Sequence, residues 1–520
     1  MIRLTGEQVI AAAAIDHVVN IVSAPGSGKT TVAAERFGFL RFQRGDERGV
    51  LGLTFNRAAA NEFGTRVASR WGASSTTFPH RISTFDHLYV DLLHMLLRSG
   101  SISWPEGHQS VDVRDEYGGF DGFVYLLPTQ HYLRVAGLNN TDTVVSRSRA
   151  ITEATRGVGS AAKHLSILRQ GIVSHEDVRW ILRAALEREA LREMIVSWVA
   201  ANYRAIIVDE VYDGDGLDLT IISLAADAGV HATVIGDPWQ AMYRWRGATP
   251  ELVAQLVHST EETFVEYPLS ISFRFRGEQM PGLAADLRDG LPVSLPSVGS
   301  EEVDVALARR WADLWQVGDN ILPLAFRNVE NATDAAICLL LDTVTRSRFG
   351  ERAHGRESAI TKLKLDREVF DARQTEVMQP LLDDLVGGAE PETVLDALRE
   401  AVKSLGARRP SRLSVEKEAL IALQLRQIGL RLVRRKLIPG LTVFQAKGRE
   451  WDRVGVVLST GQRTALAEGL RSDQEEHCIT YVAVTRARKL CGRLEKIPEL
   501  DLAGVEAVST SSKSDQSNGD

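Results

Sequence analysis

The stretch Ser23-Ala-Pro-Gly-Ser-Gly-Lys-Thr30 follows an apolar run, Val18–Val22, and opens a helical pattern. Small residues after a buried strand let backbone N–H groups curl around a phosphate, and the first turn of the helix adds positive potential. In such a loop, Lys29 would reach the β- and γ-phosphates of a nucleotide and the Thr30 hydroxyl would ligate Mg²⁺. Ser23 stands where the usual pattern has its first glycine. An ordinary glycine-rich turn is the alternative, but Gly-Lys-Thr in this setting favours a phosphate-binding loop.

A second chemical signal is Ile206-Ile-Val-Asp-Glu210, an apolar strand that ends on two adjacent carboxylates. This pattern suits a metal-holding acid followed by an acid that activates water. We therefore predict that Asp209 shares Mg²⁺ with Thr30 and that Glu210 acts as a general base. The alternative is an Asp-Glu pair that caps the next turn, and the nearby phosphate-loop pattern argues against it.

Short apolar runs alternate with longer helical patterns, which indicates parallel sheets covered by helices. The alternation breaks over residues 90–165 and 346–435, so we predict two P-loop-type α/β cores, each with a mainly helical insertion. The predicted strands are Val18–Val22, Val50–Thr54, Ala205–Val208, Ala232–Ile235, Ile321–Ala325, Leu441–Phe444 and Val454–Leu458. The predicted helices are Ala58–Val67, Leu217–Ala226, Pro250–Leu256 and Glu475–Arg488.

These patterns divide the chain into segments. The first core takes residues 1–89 and 166–275 around the insertion 90–165, and the second takes 276–345 and 436–504 around the insertion 346–435. The polar end, 505–520, is predicted to be a disordered tail. The basic run Arg431–Lys436 is predicted to be a solvated helix face rather than a DNA-facing strip.

Composition narrows the class of protein. The 520 residues are 44% hydrophobic and 25% charged, which is typical of globular proteins. Three cysteines and no long apolar run predict a reduced, cytoplasmic protein without a membrane segment. The net charge of −7 disfavours a passive DNA-coating protein but leaves an enzyme with a local basic groove possible.

Several further stretches, in order along the chain, resemble the motifs of UvrD/Rep-type superfamily 1 helicases. They are Leu4–Gln8, Thr54–Ala60, Ser83–Asp86, Gly236–Ala248, Thr442–Asp452 and Glu475–Ala487. The ordered set spans residues 4–488 and omits only the insertions and the tail. The resemblance implies two RecA-like domains with ATP bound in the cleft between them, and ATP with Mg²⁺ as cofactors.

The resemblance also implies residue roles on the nucleotide side. Gln8 would hydrogen-bond adenine while Phe273 stacks on it, and Glu450 would contact the ribose. Gln240 would sense the γ-phosphate, and Arg274 and Arg486 would be arginine fingers. The phosphate-loop residues implied are Ala24, Pro25, Gly26, Ser27, Gly28, Lys29, Thr30 and Thr31.

On the DNA side, the resemblance implies base stacking by Tyr243 and Trp245, because stacking on aromatic rings is tolerant of sequence. Core packing is the alternative for Trp245. The other implied DNA contacts are Asn56, Arg57, Thr84, Arg246, Thr442 and Phe444. A lone Asn or Thr at such a position is otherwise a cap or turn residue.

The sequence departs from the family pattern in three places. Tyr212 replaces a usual Gln, Phe444 a frequent His, and Ser272-Phe273 a common Asn-Tyr. Phe273 keeps a stacking face. The other two changes bear on how well hydrolysis is coupled to movement rather than on hydrolysis itself.

Three functions remain open from the sequence. The first is an ATP-dependent helicase or translocase that moves 3′-to-5′ on single-stranded DNA, in repair or replication. The second is a compact helicase-like ATPase subunit of an anti-phage complex, similar to the helicase-like component of Gabija systems, which senses DNA ends or single strands and activates a partner nuclease, with little unwinding alone. The expected nucleic-acid partner is single-stranded or partly duplex DNA. The third is a nucleotide-switched binding module, against which the full set of catalytic side chains argues.

Overall fold

The computed structural model describes residues 3–43, 46–114, 124–127, 130–151, 161–244, 247–259 and 263–497. The chain forms two compact units, Met1–Phe273 and Arg274–Asp520. The boundary lies two residues before the predicted one. The predicted tail, 505–520, lies outside the described residues.

The strands, in chain order, are β1 Val18–Ser23, β2 Gly49–Thr54, β3 Arg81–Thr84, β4 Asp112–Val113, β5 Val124–Leu127, β6 Gln130–Leu138, β7 Val144–Ile151, β8 Ile172–Val173, β9 Tyr203–Asp209, β10 His231–Gly236, β11 Val265–Leu269, β12 Val305–Ala308, β13 Ile321–Pro323, β14 Ile438–Thr442, β15 Trp451–Val456 and β16 Ala487–Arg493.

The helices of the first unit are α1 Gly6–Ala12, α2 Lys29–Phe42, α3 Arg57–Trp71, α4 Phe85–Arg98, α5 Ala161–Arg169, α6 His175–Leu186, α7 Glu189–Asn202, α8 Gly216–Asp227 and α9 Pro250–Ser259. Those of the second are α10 Met280–Arg288, α11 Trp311–Leu314, α12 Ala332–Phe349, α13 Arg356–Leu363, α14 Arg367–Val386, α15 Pro391–Ser404, α16 Val415–Leu432, α17 Val443–Ala446, α18 Thr460–Glu468 and α19 Glu475–Val484.

A six-stranded parallel sheet forms the centre of the first unit, with strand order β11-β1-β10-β9-β2-β3. Successive residues of its strands enter opposite cores: Leu51 and Leu53 pack on one face, whereas Val50 packs on the other. Helices cover both faces, which explains the uninterrupted apolar runs in the sequence. All the strands run the same way, so the loops that follow them meet at one edge, where ligand sites of such sheets lie.

The insertion predicted to be helical over 90–165 is corrected by the structure. Helix α4 ends at Arg98, and β5, β6 and β7 form an antiparallel three-stranded sheet. The physical reason is a hairpin: two runs of alternating polarity flank the turn-forming stretch Asn139–Asp142, where the Asn139 side chain accepts N–H bonds from Thr141 and Thr143.

The second unit contains a five-stranded parallel sheet of order β13-β14-β12-β15-β16. The strand predicted at Leu441–Phe444 is displaced, because Thr442 caps a short helix that contains Phe444. The helix predicted at Glu475–Arg488 ends at Val484. From Ala487 the chain becomes strand β16, whose buried Ala487 and Cys491 pair with β15.

Residues 356–432 fold as four helices, α13 to α16, around an apolar core that also includes α12. This agrees with the helical character predicted for the second insertion. The basic run is only partly the solvated face that was predicted, because Arg431 is completely buried. No helix in the described parts of the chain combines the length and apolarity that crossing a bilayer needs.

Candidate functional site

The phosphate-loop pattern folds as the sequence predicts, between β1 and α2. Gly26 and Gly28 have φ values of 74° and 85°, in the left-handed region that favours glycine. Gly28 precedes the first residue of α2, and no side chain caps that helix start. The Ser27 hydroxyl is buried and has no hydrogen-bond partner among the described residues. Uncapped N–H groups and a spare hydroxyl fit an anion such as a nucleotide phosphate.

Ser23, the residue that departs from the usual loop pattern, forms a hydrogen bond between two strands of the sheet. Its side chain is fully buried and its hydroxyl donates to the carbonyl of Gly236 at 2.9 Å. The hydroxyl therefore ties the end of β1 to the end of β10. The replacement of glycine leaves the phosphate-facing part of the loop unchanged.

The two predicted acids lie beside the loop at the end of β9. The Thr30 hydroxyl donates to the Asp209 carboxylate at 3.1 Å, and the Lys29 ammonium lies 3.5 Å from Glu210. Glu210 has a φ of 61°, left-handed for a residue that is not glycine. The structure thus brings together the four side chains predicted to perform hydrolysis within the first unit.

The environment of Asp209 fits a cation. Burial raises the pKa of this carboxyl to about 7, and the charge of Glu210 adds to the rise, whereas Lys29 and the Thr30 hydroxyl oppose it. A divalent cation would favour the charged form. Hydroxyl and carboxylate oxygens are ligands that Mg²⁺ prefers, and it takes its other ligands from phosphates and water. No cluster of three or more metal-ligating side chains occurs among the described residues.

Gln240 lies in the loop that follows β10. Its amide donates to Asp237 at 2.6 Å, and the Asp237 carboxylate also accepts from the Trp239 N–H. Tyr212, one of the departures from the family pattern, packs against this loop. A Cβ on Gly236 would come within 2.6 Å of its ring, so the glycine is required by the close approach of the tyrosine.

The residues predicted to bind adenine, Gln8 and Phe273, both contact the phosphate loop. Gln8 donates to the carbonyl of Ser27 at 2.8 Å and accepts from Thr5 at 3.0 Å. The backbone N–H of Phe273 donates to Gly26 at 2.9 Å, and the Phe273 side chain is 51% exposed. Half of the ring is therefore open to stack on a base beside the phosphate loop. The adenine contact itself stays a prediction.

The remaining nucleotide-side residues lie in the second unit, where Glu450 binds two arginines. It accepts from Arg274 at 2.8 Å and from Arg488 at 2.8 and 3.0 Å. Arg274 also donates to the carbonyl of Thr485 at 2.9 Å. The Arg486 side chain is 1% exposed and donates to Val482 at 3.2 Å.

Three residues predicted to contact DNA act as helix caps. Asn56 caps α3, Thr84 caps α4 and Thr442 caps α17. Arg57, the first residue of α3, is exposed. Trp245 and Arg246 lie outside the described residues. The structure thus shows the capping role that was the alternative for Asn56 and Thr84, and their DNA contacts stay predictions.

A cavity of about 830 Å³ lies within the first unit, beside the loops after β2 and β10. Asn56 and Tyr243 line this cavity together with side chains from the first insertion and from α6. The lining that matters here comprises Phe55, Asn56, Arg149, Arg179, Trp180 and Tyr243.

Trp180 is a cavity residue that the sequence analysis missed. The guanidinium carbon of Arg149 lies 3.8 Å from the centre of its ring, and that of Arg183 lies 4.5 Å away. The indole N–H is buried and has no hydrogen-bond partner among the described residues. The signal in the sequence was an aromatic residue that follows Arg179 and precedes Arg183 by three positions, a pattern that a solvated helix also shows.

The positive side chains from α6 in this cavity are paired. Arg179 binds Asp86 and Asp218 at 2.8 Å and Asp215 at 3.0 Å. Arg183 binds Asp215 at 2.5 Å. With the α6 cations paired to acids, the cavity offers a ligand its aromatic rings and the guanidinium of Arg149.

Comparisons with known proteins agree with this arrangement. The sequence model of the UvrD/REP helicase N-terminal domain matches residues 4–261. The chain belongs to the UvrD/Rep-like helicases of superfamily 1. This matched region contains the phosphate loop, both acids and Gln240, so the family assignment rests on the same residues as the geometry.

Similar curated proteins are helicases too. A probable DNA helicase II homolog of Mycoplasma capricolum is 24% identical over 48% of this chain and 36% of its own length. The ATP-dependent DNA helicase UvrD2 of Mycobacterium tuberculosis is 23% identical over 90% of this chain and 75% of its own length. The first of these relatives is thus much longer than the part that this chain matches.

Among solved structures, a Pif1 helicase from Candida albicans aligns over 99% of this chain and 100% of its own. The TM-score is 0.37 and the identity 12%. At these values the superposition supports no conclusion, and the family assignment rests on sequence.

Proposed function

We propose that this UvrD/Rep-like chain is a DNA motor that uses the energy of ATP hydrolysis to move along single-stranded DNA. The observation that carries the proposal is the group formed by Lys29, Thr30, Asp209 and Glu210 around an uncapped helix start. Uncapped N–H groups, a cation and a general base are the parts that phosphoryl transfer to water requires.

In this proposal, Lys29 and the loop N–H groups bind the phosphates, and Glu210 takes a proton from the attacking water. Thr30 and Asp209 would hold Mg²⁺, which neutralises phosphate charge when bound. Gln240 would respond to the γ-phosphate through its bond to Asp237. Gln8 and Phe273 would bind adenine and Glu450 the ribose, while Arg274 and Arg486 would stabilise charge on the transferring phosphoryl group.

The DNA side of the proposal uses the 830 Å³ cavity. Tyr243 offers an aromatic surface, and each base that stacks on such a ring is worth about 1–3 kcal/mol without regard to sequence. A motor needs that tolerance because it must accept any base. Trp180 lines the same cavity and holds the guanidinium of Arg149 over its ring. The further contacts proposed on this side are Asn56, Arg57, Thr84, Trp245, Arg246, Thr442 and Phe444.

Substitution of Trp180 tests the DNA side. We expect Trp180→Ala to weaken binding of a single-stranded oligonucleotide by about tenfold, because the cavity loses an aromatic wall and the ring that positions Arg149. The matched variant Trp180→Phe keeps an aromatic face and should retain most of the affinity. Equal affinity in the alanine variant and the wild type would show that the cavity is not part of the DNA path.

Movement in the 3′-to-5′ direction is the finer part of the proposal and rests on the family resemblance. Two duplexes that differ only in carrying a 3′ or a 5′ single-stranded tail test it. The proposal expects strand separation of the 3′-tailed duplex alone, dependent on ATP and abolished by Glu210→Gln. Preference for the 5′ tail would overturn the direction.

A second candidate is an ATPase subunit that works with a partner nuclease. The small size of the helical subdomain, four helices over residues 356–432, favours it, because reduced insertions suit a motor that does not separate strands alone. DNA-stimulated hydrolysis without unwinding of either tailed duplex would support this candidate over the first.

A further inference from the structure

Glu450 in the second unit is shared by two arginines, of which only Arg274 was expected to serve the nucleotide. One carboxylate oxygen accepts from Arg274 Nε, and the other accepts from both Nε and Nη2 of Arg488. These contacts hold the pKa of Glu450 below its ordinary value, although burial opposes them. The carboxylate therefore stays charged and attracts both cations.

The two arginines are anchored differently. Arg488 lies on strand β16, where its carbonyl accepts from the Arg276 N–H at 2.7 Å, and its guanidinium reaches Asp452 at 3.7 Å as well as Glu450. Arg274 lies outside the helices and strands, and it donates to Glu450 and to the carbonyl of Thr485. The proposed function requires Arg274 to reach the phosphoryl group, so Arg488 is the cation that would stay with Glu450.

An arginine finger that is paired with a carboxylate must give up that pairing to bind a phosphoryl group. Leaving the Glu450 carboxylate without a cation costs free energy, because its side chain is 35% exposed and has already lost part of its hydration. A second cation on the same carboxylate removes most of this cost. Arg488 supplies such a cation, with two hydrogen bonds that do not depend on Arg274.

We propose that Arg488 is a positioning residue for hydrolysis, which keeps Glu450 paired while Arg274 transfers from this carboxylate to the phosphoryl group. The inference rests on the proposed function, in which Arg274 is an arginine finger. It assigns Arg488 a role that acts through Glu450 and not through contact with the nucleotide.

The test is a double-mutant cycle on the full chain with Mg-ATP and single-stranded DNA. Arg488→Ala should lower kcat by about tenfold with less than a threefold change in KM for ATP, because Glu450 then holds Arg274 alone. In the Glu450→Gln background, the same Arg488 substitution should change kcat by less than about twofold, because the neutral amide no longer retains Arg274.

Two controls sharpen the cycle. Arg488→Lys keeps the charge and one donor, and should recover much of the turnover lost in the alanine variant. Lys489→Ala removes the next cation along β16, which pairs with Asp452 at 2.6 Å and not with Glu450, and should have no comparable effect. A loss in Arg488→Ala that persists equally in the Glu450→Gln background would mean a purely structural role and overturn the inference.

Measuring the binding of ADP and of a transition-state mimic separates a failure of this inference from a failure of the proposed function. ADP with aluminium fluoride mimics the transferring phosphoryl group, so Arg488→Ala should weaken its retention about tenfold relative to ADP alone. Equal retention in the wild type and the variant would overturn the role of Arg488. A wild-type chain that binds neither ADP nor the mimic would overturn the proposed function, and this inference with it.

Discussion

The backbone of Glu210 adopts a left-handed conformation, with φ at 61° and ψ at 43°. Residues other than glycine and asparagine pay about 1–3 kcal/mol for such a conformation, and strained residues of this kind cluster at functional sites. The turn directs the side chain of the proposed general base towards Lys29, 3.5 Å away. Stability is therefore given up at the residue that we propose as the general base.

This strain predicts a difference between two variants of Glu210 that both lack the carboxylate. Glu210→Asn should raise the free energy of unfolding by about 0.5–1 kcal/mol over Glu210→Gln, since asparagine tolerates the left-handed region better. Neither variant should hydrolyse ATP. Denaturant unfolding of the two proteins measures the difference, and an asparagine variant no more stable than the glutamine variant would show that the turn is unstrained.

His80 predicts a dependence of stability on pH. Its ring nitrogen Nδ1 accepts from the Val50 N–H at 3.0 Å, and burial, with the charges of Arg41 and Arg204, lowers its pKa from 6.5 to about 4. Between these values the unfolded chain binds the proton and the folded chain does not. The contribution of His80 is thus complete above pH 6.5 and is lost as the pH falls through 4.

Substitution of His80 by asparagine isolates this contribution. The amide oxygen of His80→Asn can accept the same Val50 N–H but does not titrate, so the variant should lose less stability than the wild type between pH 6.5 and 4. Urea unfolding across that range measures the two slopes. Identical slopes would mean that His80 does not contribute to acid sensitivity.

The phosphate loop and the Asp209-Glu210 pair lie together at neighbouring strand ends, as their sequence patterns predict. Their placement was predictable because each follows a continuous apolar strand, and their functions stay predictions. The role of Ser23 was not, since its partner Gly236 is 213 positions away and only the sheet brings them together. The position of Trp180 in a cavity could not be predicted for the same reason, because the cavity is lined by residues that are far apart in the sequence.

At the scale of helices and strands, Arg431 anchors the end of α16. Its side chain is fully buried, donates to the carbonyls of Ile321 and Trp315 at 2.6 and 2.9 Å, and lies over the Trp315 ring at 4.6 Å. Burial lowers its pKa to about 10, so it remains charged at neutral pH. One member of an apparently solvent-facing basic run thus joins the helical subdomain to the sheet of its unit.

Two variants of this run should behave very differently. Arg431→Ala leaves several buried carbonyl groups without a donor and should lower the free energy of unfolding by about 3 kcal/mol or more. The exposed neighbour in Arg435→Ala should change it by less than about 0.5 kcal/mol. Thermal unfolding compares them, and similar midpoints for both variants would contradict the anchoring role.

The differences between predicted and observed helices and strands also arise at this scale. Buried parallel strands were predictable from their continuous apolar runs, whereas the antiparallel sheet of β5, β6 and β7 was not recognised from its alternating pattern. Helix α19 was predicted four residues too long, because it ends at Val484 and strand β16 begins at Ala487. Pairing with β15, a tertiary contact, decides where the helix ends.

At the scale of the whole molecule, each of the two units has its own parallel sheet and its own set of proposed functional residues. The first unit contains the phosphate loop, the acids and the cavity that we propose for DNA, and the second contains the arginines that Glu450 holds. The order of motifs predicted two cores with helical insertions, and the second insertion is helical as expected. The first insertion contributes Arg149 from its sheet to the cavity, a feature that no single motif encodes.

Steady-state ATP hydrolysis by the isolated chain, with and without single-stranded DNA, is the decisive test of a DNA motor. Lys29→Ala and Glu210→Gln serve as matched controls, the first for phosphate binding and the second for activation of water. We expect the wild type to hydrolyse ATP with strong stimulation by DNA, and we expect both variants to lose this activity. Hydrolysis that persists in Lys29→Ala, or that DNA leaves unchanged in the wild type, would contradict a DNA motor driven from this phosphate loop.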